Sequence, residues 1–349
     1  MKQIVMDKQK NYTMKDIAEE LNTSVSTVSR ALNDSPMISE EKRRMIQRFA
    51  EEHNFRPNAI AENLRNSRVK PQKLIGVIVP ELIHYFFSSV LSGIEEEASR
   101  RGYRIMVAQS RESYEKEVDI CNTFIKNRVC GIIVSQAKGT RQYDHFAHLQ
   151  KEKVPLVFFD RICTGLDASR VVVDDYHGAY TAVTHLIETG CKRIAFCGSP
   201  MHLEIVKNRL SGYKDALLKH HIPVDESIIY ECDNRAIAEA IIPDILKRTD
   251  RPDGFFAVND DTAVGITHVA KRCGLSVPDD ISVCGFTNGE RALACDPMLT
   301  TIDQRGPELG IQAADILISQ VEGALPLDRP QKRIVRTVLV KRGTTRAND

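Results

Sequence analysis

No uninterrupted apolar run in this sequence approaches the roughly 18 residues that a membrane-spanning helix requires. The opening residues, "MKQIVMDKQKNYT", hold no apolar segment of useful length, so neither secretion nor membrane insertion is expected. Paired cysteines are missing as well. The nine cysteines, an odd number, scatter from Cys121 to Cys295 without a C-x-x-C pair, and most sit in apolar runs such as "RIAFCGS" and "ISVCGF". That pattern reads as reduced, buried thiols in a cytoplasmic protein. Catalytic signatures are absent too: there is no G-x-S-x-G elbow, no G-x-x-x-x-G-K-S/T loop, no G-x-G-x-x-G and no H-E-x-x-H. We therefore expect no enzymatic activity, no cofactor and no metal. The adjacent His220 and His221 would point apart on a helix and chelate poorly.

A large charge excess is the last absence. The net charge is +1, so the whole molecule advertises no polyanionic partner. Whole-chain charge hides a local asymmetry, however. Residues 1–72 hold 13 Lys and Arg against 10 Asp and Glu, whereas the rest holds 35 against 37. The mildly basic front end hints at nucleic acid.

At 349 residues the chain suggests two or three domains. From Lys73 onward short β-branched runs alternate with amphipathic segments. The strand candidates are "KLIGVIVP", "RIMVAQS", "CGIIVS", "PLVFFD", "RVVVDD", "RIAFCGS", "SIIYEC", "GFFAVN", "ISVCGF" and a final "RIVRTVLVK". Nearly continuous apolar strands separated by helices predict parallel sheets covered on both faces, enough for two doubly wound lobes. The polar "DRICTGLDASR", Asp160 to Arg170, is the expected break between them. Ligands of such folds bind outside the carboxyl ends of strands. Asp160, Arg161, Asn259, Asp260, Thr287 and Asn288 stand there, and each could equally be a turn or cap former.

Before Lys73 no strand signal appears. Thr13 is a good N-cap with Asp16 three residues on, and Ile17, Ala18 and Leu21 form one apolar face, which predicts a helix from Met14 to about Leu21. Ser24 looks like the next N-cap, with Val25, Val28 and Leu32 at helical spacing behind it. Asn22 and Thr23 must then reverse the chain, and Asn tolerates the left-handed conformation that such a turn needs. A third helix starts at a Ser39 cap. Three short helices with tight turns form the helix-turn-helix arrangement, whose second helix enters the DNA major groove. The crowd of hydroxyls in "NTSVSTVSRALND" then has a use: Ser24, Thr27 and Ser29 can donate to phosphates near the helix start. Ser26 and Arg30 share a face, and Arg suits guanine O6 and N7. A solvated face on some small bundle would show the same pattern.

The run "TMKDIAEELNTSVSTVSRALND", then "FRPNAIAENLR" and "LIGVIVP", with "NRLSGY", "AVNDDTAVG" and "PMLTTIDQ" far downstream, resembles the lactose/galactose repressor family over nearly the whole chain. The resemblance implies a ligand-responsive transcriptional regulator of α/β class. A three-helix DNA-binding domain (1–55) would lead through a hinge helix (56–72) into two doubly wound parallel-sheet lobes like those of periplasmic sugar-binding proteins. It implies a first lobe of residues 73–161 and 300–323, a second of 162–299 and 324–343, and a tail of 344–349.

By the same resemblance Val25, Ser26 and Arg30 read bases and Asn33 lies where the family touches the backbone, and Thr13, Ser24, Thr27 and Ser29 are the other expected phosphate contacts. Leu64 would wedge into the minor groove beside Arg65, or else serve as a linker residue packing on the core. The effector would touch Phe86, Phe87, Asp160, Arg209, Asn234, Asn259, Asp260 and Thr287, with Arg209 alternatively serving an interlobe salt bridge. The sequence departs from the family pattern at Thr287, where many members carry an aspartate, and at Asn234, where well-known members place an aromatic. The implied partners are a palindromic double-stranded DNA operator, a second copy of the chain and a small effector, expected to be sugar-like; no membrane partner is expected.

Overall fold

The computed structural model describes residues 12–53, 55 and 73–347. The chain divides at Lys70 and Pro71 into two units, each taken by itself below. The expected hinge at residues 56–72, with Leu64 and Arg65, lies outside the described residues.

The first unit holds α1 (Met14–Glu20), α2 (Val25–Leu32) and α3 (Glu40–Glu52). Thr13 caps α1 through a reciprocal box: its hydroxyl accepts from the Asp16 N–H at 3.2 Å, and the Asp16 carboxylate accepts the Thr13 N–H at 2.7 Å. The helix ends as expected at Asn22, whose φ of 45° is left-handed, while the Thr23 N–H closes back on the Ala18 carbonyl at 2.8 Å. Ser24 caps α2 by accepting from the Thr27 N–H at 3.2 Å. Ser39 occupies the cap position of α3, yet its side chain makes no capping bond. Among the described residues the core is Ile17, Ala18, Val28, Ala31, Ile46 and Ala50, with partly buried side chains such as Leu21, Leu32 and Phe49 packed against them. In a unit this small each helix cap contributes about 1 kcal/mol beside that core.

The second unit contains two six-stranded sheets. In the first lobe the strands are β1 (Leu74–Val79), β2 (Arg104–Gln109), β3 (Gly131–Val134), β4 (Leu156–Phe159), β5 (Ser169–Val173) and β11 (Lys332–Val335). Their order is β11-β5-β4-β3-β1-β2, all parallel. The second lobe has β6 (Ile194–Gly198), β7 (Ile229–Glu231), β8 (Gly254–Ala257), β9 (Ser282–Thr287), β10 (Thr300–Asp303) and β12 (Val338–Val340). Their order is β12-β10-β9-β8-β6-β7, with only the β10–β12 pair antiparallel. Central strands are buried along their length, as their unbroken apolar character requires.

Helices α4 (Tyr85–Arg100), α5 (Tyr114–Lys126) and α6 (Asp144–Lys151) follow strands of the first lobe. The second has α7 (Asp175–Glu188), α8 (Glu204–Lys219), α9 (Arg235–Leu246), α10 (Asp260–Arg272) and the short α11 (Glu290–Ala294). Helix α12 (Gly306–Val321) returns to pack on α4 and beneath β3, β4 and β5. Their axes approach closely because Gly93 and Gly310 lack side chains: a Cβ there would stand 2.0 Å from the Pro307 carbonyl oxygen and 2.1 Å from that of Val90.

The interlobe crossings differ from the expected ones. The segment 160–168 joins two adjacent strands of the same sheet, so the first crossing falls at Asp174, after β5 rather than before it. "TTID" is a second-lobe strand, which moves the second crossing to Gln304 and Arg305. "RIVRTVLVK" splits, with β11 in the first lobe and β12 in the second. The physical reason is pairing: Val171 and Val173 are buried in β5, which pairs with β4 and β11 of the first sheet, and a polar loop marks a surface turn whether or not the chain changes lobe. All nine cysteines are free; six are buried and Cys273 is exposed. No helix among the described residues is long and apolar enough to cross a membrane.

Candidate functional site

On the helical unit, α2 presents Ser26 and Arg30 to solvent, with Arg30 unpaired among the described residues, while Val28 and Ala31 face the core. Val25 divides its surface: it is half-buried and packs against that core, so only part of it faces outward. The Ser24 hydroxyl lies 2.8 Å from that of Ser26 and 2.9 Å from that of Thr27, so these groups form one cluster at the helix start. Ser29 is half-exposed, and its carbonyl accepts from the Asn33 amide at 3.0 Å. The expected base-reading and phosphate-contacting residues thus occur at one helix and its two ends, except Thr13, which caps α1.

In the second unit the strand ends of both sheets face each other across a cleft. Its second-lobe wall is built on Arg209. The α8 helix buries this arginine, whose Nε donates to Oδ1 of Asp175 at 2.7 Å and whose Nη1 donates to the Val258 carbonyl at 2.6 Å. Its guanidinium lies 3.8 Å from the centre of the Phe286 ring. Asp175 opens α7, and burial pushes its carboxyl up to about 6 despite the adjacent Arg209.

Asp160 stands opposite at the end of β4 in a left-handed conformation with φ of 56°, and it is buried. Burial raises its pKa, with Arg161 and Arg209 opposing. Phe87 packs edge-on to Phe159, 6.3 Å between centres, beneath the Arg161 guanidinium at 5.6 Å. Phe86 stands 5.4 Å from Phe87 within the core and lines neither of the two cavities described below.

Several of the expected contacts turn out to hold the scaffold. Asn234 caps α9 and Asn259 caps α10, each accepting from the N–H three residues on, and the Asn259 amide also donates to the Asp233 carbonyl at 2.7 Å. Asp260 accepts from the Thr301 hydroxyl at 2.5 Å and the Gly289 N–H at 2.8 Å, while burial pushes its pKa up to about 6. Thr287 donates to Gln304 at 3.1 Å.

Asp260, Thr287 and Gly289 line a cavity of about 400 Å³ with His84, Tyr85 and Ser88 of the first lobe. His84 is held neutral, its pKa lowered to about 4 by burial and then by Arg161, Arg291 and Lys138. A second cavity of about 300 Å³ lies between Asp160 and Asp175.

Three residues that we had not singled out, Glu112, Lys138 and Asp233, complete the cleft with Arg161. Arg161 holds Glu112 with two bonds of 2.8 Å, and Glu112 in turn accepts the Lys138 N–H at 2.7 Å. The Lys138 ammonium crosses the cleft to Asp233 at 2.6 Å. Glu112 and Lys138 follow the carboxyl ends of β2 and β3, and Asp233 follows β7. The strand-end rule applied to every strand would have found them.

The comparisons with known proteins agree with this fold. Residues 13–58 match the model for bacterial regulatory proteins of the lacI family, and residues 183–345 match that for a periplasmic binding protein-like domain. The HTH-type transcriptional repressor CytR of Escherichia coli (strain K12) is 31% identical over 342 residues, covering 96% of each chain. The lac repressor dimer bound to operator and the anti-inducer ONPF gives a TM-score of 0.82 at 25% identity, covering 97% of this chain and 100% of that one. A periplasmic binding protein/LacI transcriptional regulator from Alkaliphilus metalliredigens, complexed with D-xylulofuranose, gives 0.69 at 27% identity, covering 79% of this chain and 100% of that one. With its helix-turn-helix, its two doubly wound lobes and a relative matched almost end to end, the chain belongs to the lacI family of bacterial regulatory proteins and is a transcriptional regulator, not an enzyme.

Proposed function

We propose that this regulator is a repressor that binds a palindromic operator as a homodimer and senses a small molecule, a sugar or sugar derivative, in the cleft between its lobes. The observation that carries the sensing half is Arg209, buried against Phe286 and bonded to Asp175, which lines a cavity together with Asp160. Apolar ring faces beside fixed polar groups suit polyhydroxylated ligands. The solved relative holding D-xylulofuranose supports the same ligand class.

In this reading Ser26 and Arg30 read bases with the exposed part of Val25. Ser24, Thr27, Ser29, Asn33 and Thr13 meet phosphates, and Leu64 with Arg65 enters the minor groove between two half-sites. A ligand that prefers one arrangement of the lobes changes operator affinity by the free energy with which operator changes ligand affinity. The test is gel shift on a palindromic duplex across a panel of sugars and sugar phosphates. A ligand-dependent change in affinity is expected. Operator binding indifferent to every ligand that calorimetry shows to bind would overturn the sensing role.

A further inference from the structure

Seven of the charged side chains near the cleft concern the argument: Glu112, Lys138, Asp160 and Arg161 from the first lobe, and Asp175, Arg209 and Asp233 from the second. Six of them are consumed in three pairs, Glu112 with Arg161, Lys138 with Asp233, and Asp175 with Arg209. Asp160 is left over. Its carboxylate accepts no hydrogen bond from any described residue, and its nearest cationic atom is Nε of Arg161, 4.0 Å away. That arginine already gives two hydrogen bonds to Glu112. Asp160 is only 4% exposed, yet it lines the 300 Å³ cavity between the lobes.

We propose, building on the sensing cleft argued above, that the effector carries a protonated amine which Asp160 accepts, on a hydroxylated frame of monosaccharide size: an amino sugar or a similar small polar amine. A buried carboxylate without a partner is a liability in a folded protein, and a cation supplied by the ligand removes it. A neutral sugar could donate a hydroxyl to Asp160 but would leave the charge uncompensated. A phosphate or carboxylate would stand against the Asp160 carboxylate, and the cations on the cavity wall that have no ion-pair partner among the described residues, Arg170 and Lys332, are solvated.

Two other cations line the same cavity, Arg170 and Lys332, neighbours across β5 and β11. Lys332 is exposed and Arg170 half-exposed, so water solvates both and neither neutralises Asp160. Glu204, also on the wall, has its own partner in Lys207 at 3.3 Å. Val172, Val173, Ile162 and Ile205 supply an apolar surface for the C–H face of a ring, and a volume of about 300 Å³ suits one sugar ring.

The test uses the full chain at pH 6.5, with calorimetry and thermal unfolding in D-glucosamine, D-galactosamine and D-mannosamine, each beside its parent hexose and hexose 6-phosphate. At least one amine should bind roughly 10-fold more tightly than its parent, and the phosphates should not bind. Asp160→Asn should remove that preference while raising the unfolding temperature of the ligand-free protein, because the unpaired charge is gone. Three results overturn the proposal: a parent hexose or phosphate that binds as well as the amine, no binding by any amine, or an amine preference that survives Asp160→Asn. If a neutral hexose or a phosphate alters operator affinity, the amine falls and the sensing cleft stands. If a bound ligand leaves operator affinity unchanged and still binds Arg209→Ala, the sensing cleft itself falls.

Discussion

Arg209 and Asp175 meet through a single oxygen: Nε and Nη2 of the arginine both lie 2.7 Å from Oδ1 of the aspartate, with both side chains almost wholly buried. The pair aligns the guanidinium over Phe286. Removing one partner strands the other charge, so Arg209→Ala should destabilise the chain by about 3 kcal/mol or more. Arg209→Lys should not rescue it, because an ammonium cannot bond Asp175 and the Val258 carbonyl in the same plane. Denaturant unfolding measures the first effect. Ligand-dependent gel shift measures the second: the response should be lost in both variants while ligand-free operator binding persists. A normal response in Arg209→Lys would show that planarity is irrelevant here.

Asp260 gives a pH dependence of definite sign. Its pKa, pushed up to about 6 by burial, lies above the unfolded value, so between the two the folded chain binds more protons than the unfolded one. The contribution of this group to stability is therefore full below about pH 4 and is lost as pH rises through about 6. The change is roughly 3 kcal/mol from the size of the shift. Asp260→Asn lacks that titration. Wild type minus variant, from urea unfolding between pH 4 and 7.5, should fall with rising pH and level off above about 7. A level difference throughout would mean that Asp260 titrates at its ordinary value.

Much of the fold was readable because local chemistry repeats it. The Thr13 and Ser24 caps, the left-handed Asn22 and the unbroken apolar strands are decisions made within a few residues. The crossings were misplaced because the polarity of segment 160–168 is that of any surface loop, whereas its sheet is decided by the distant β11. The site divides in the same way. Arg209 stood in a motif, but its partner lies 34 residues away, and Lys138 meets Asp233 across 95. Asn234 and Asn259 show a deeper ambiguity: a polar residue at a strand end before a helix serves as cap by the same chemistry that would serve a ligand.

The turn between α1 and α2 makes a separate prediction. Asn22 holds φ of 45°, a conformation that asparagine tolerates, glycine adopts freely and alanine enters at a cost of about 1 kcal/mol. Asn22→Gly should keep operator affinity, whereas Asn22→Ala should loosen the α1–α2 corner. Hydrogen exchange in the full chain gives the measure, with amides of both helices exchanging about fivefold faster in the alanine variant. Equal exchange in the two variants would mean that the turn relaxes to another conformation without cost.

Lys138 and Asp233 form a bridge between the lobes whose two ends are fixed independently. On the first lobe the Lys138 N–H is held by Glu112, itself clamped by Arg161. On the second, the Asp233 carbonyl is held by the cap residue Asn259. Beside it, Nη1 of Arg141 donates to Nε2 of His202 at 2.6 Å, a second contact across the cleft. A partly exposed pair contributes roughly 1 kcal/mol, enough to change the ratio of closed to open lobes about fivefold. Lys138→Met and Asp233→Asn should each favour the open arrangement, raising the radius of gyration in small-angle scattering and weakening effector binding by a similar factor. Exchanging the two charges, Lys138→Asp with Asp233→Lys, should recover part of both effects, because the attraction survives while the tethers to Glu112 and Asn259 are main-chain bonds. Single variants with unchanged scattering and unchanged affinity would show that the lobes are held together without this bridge.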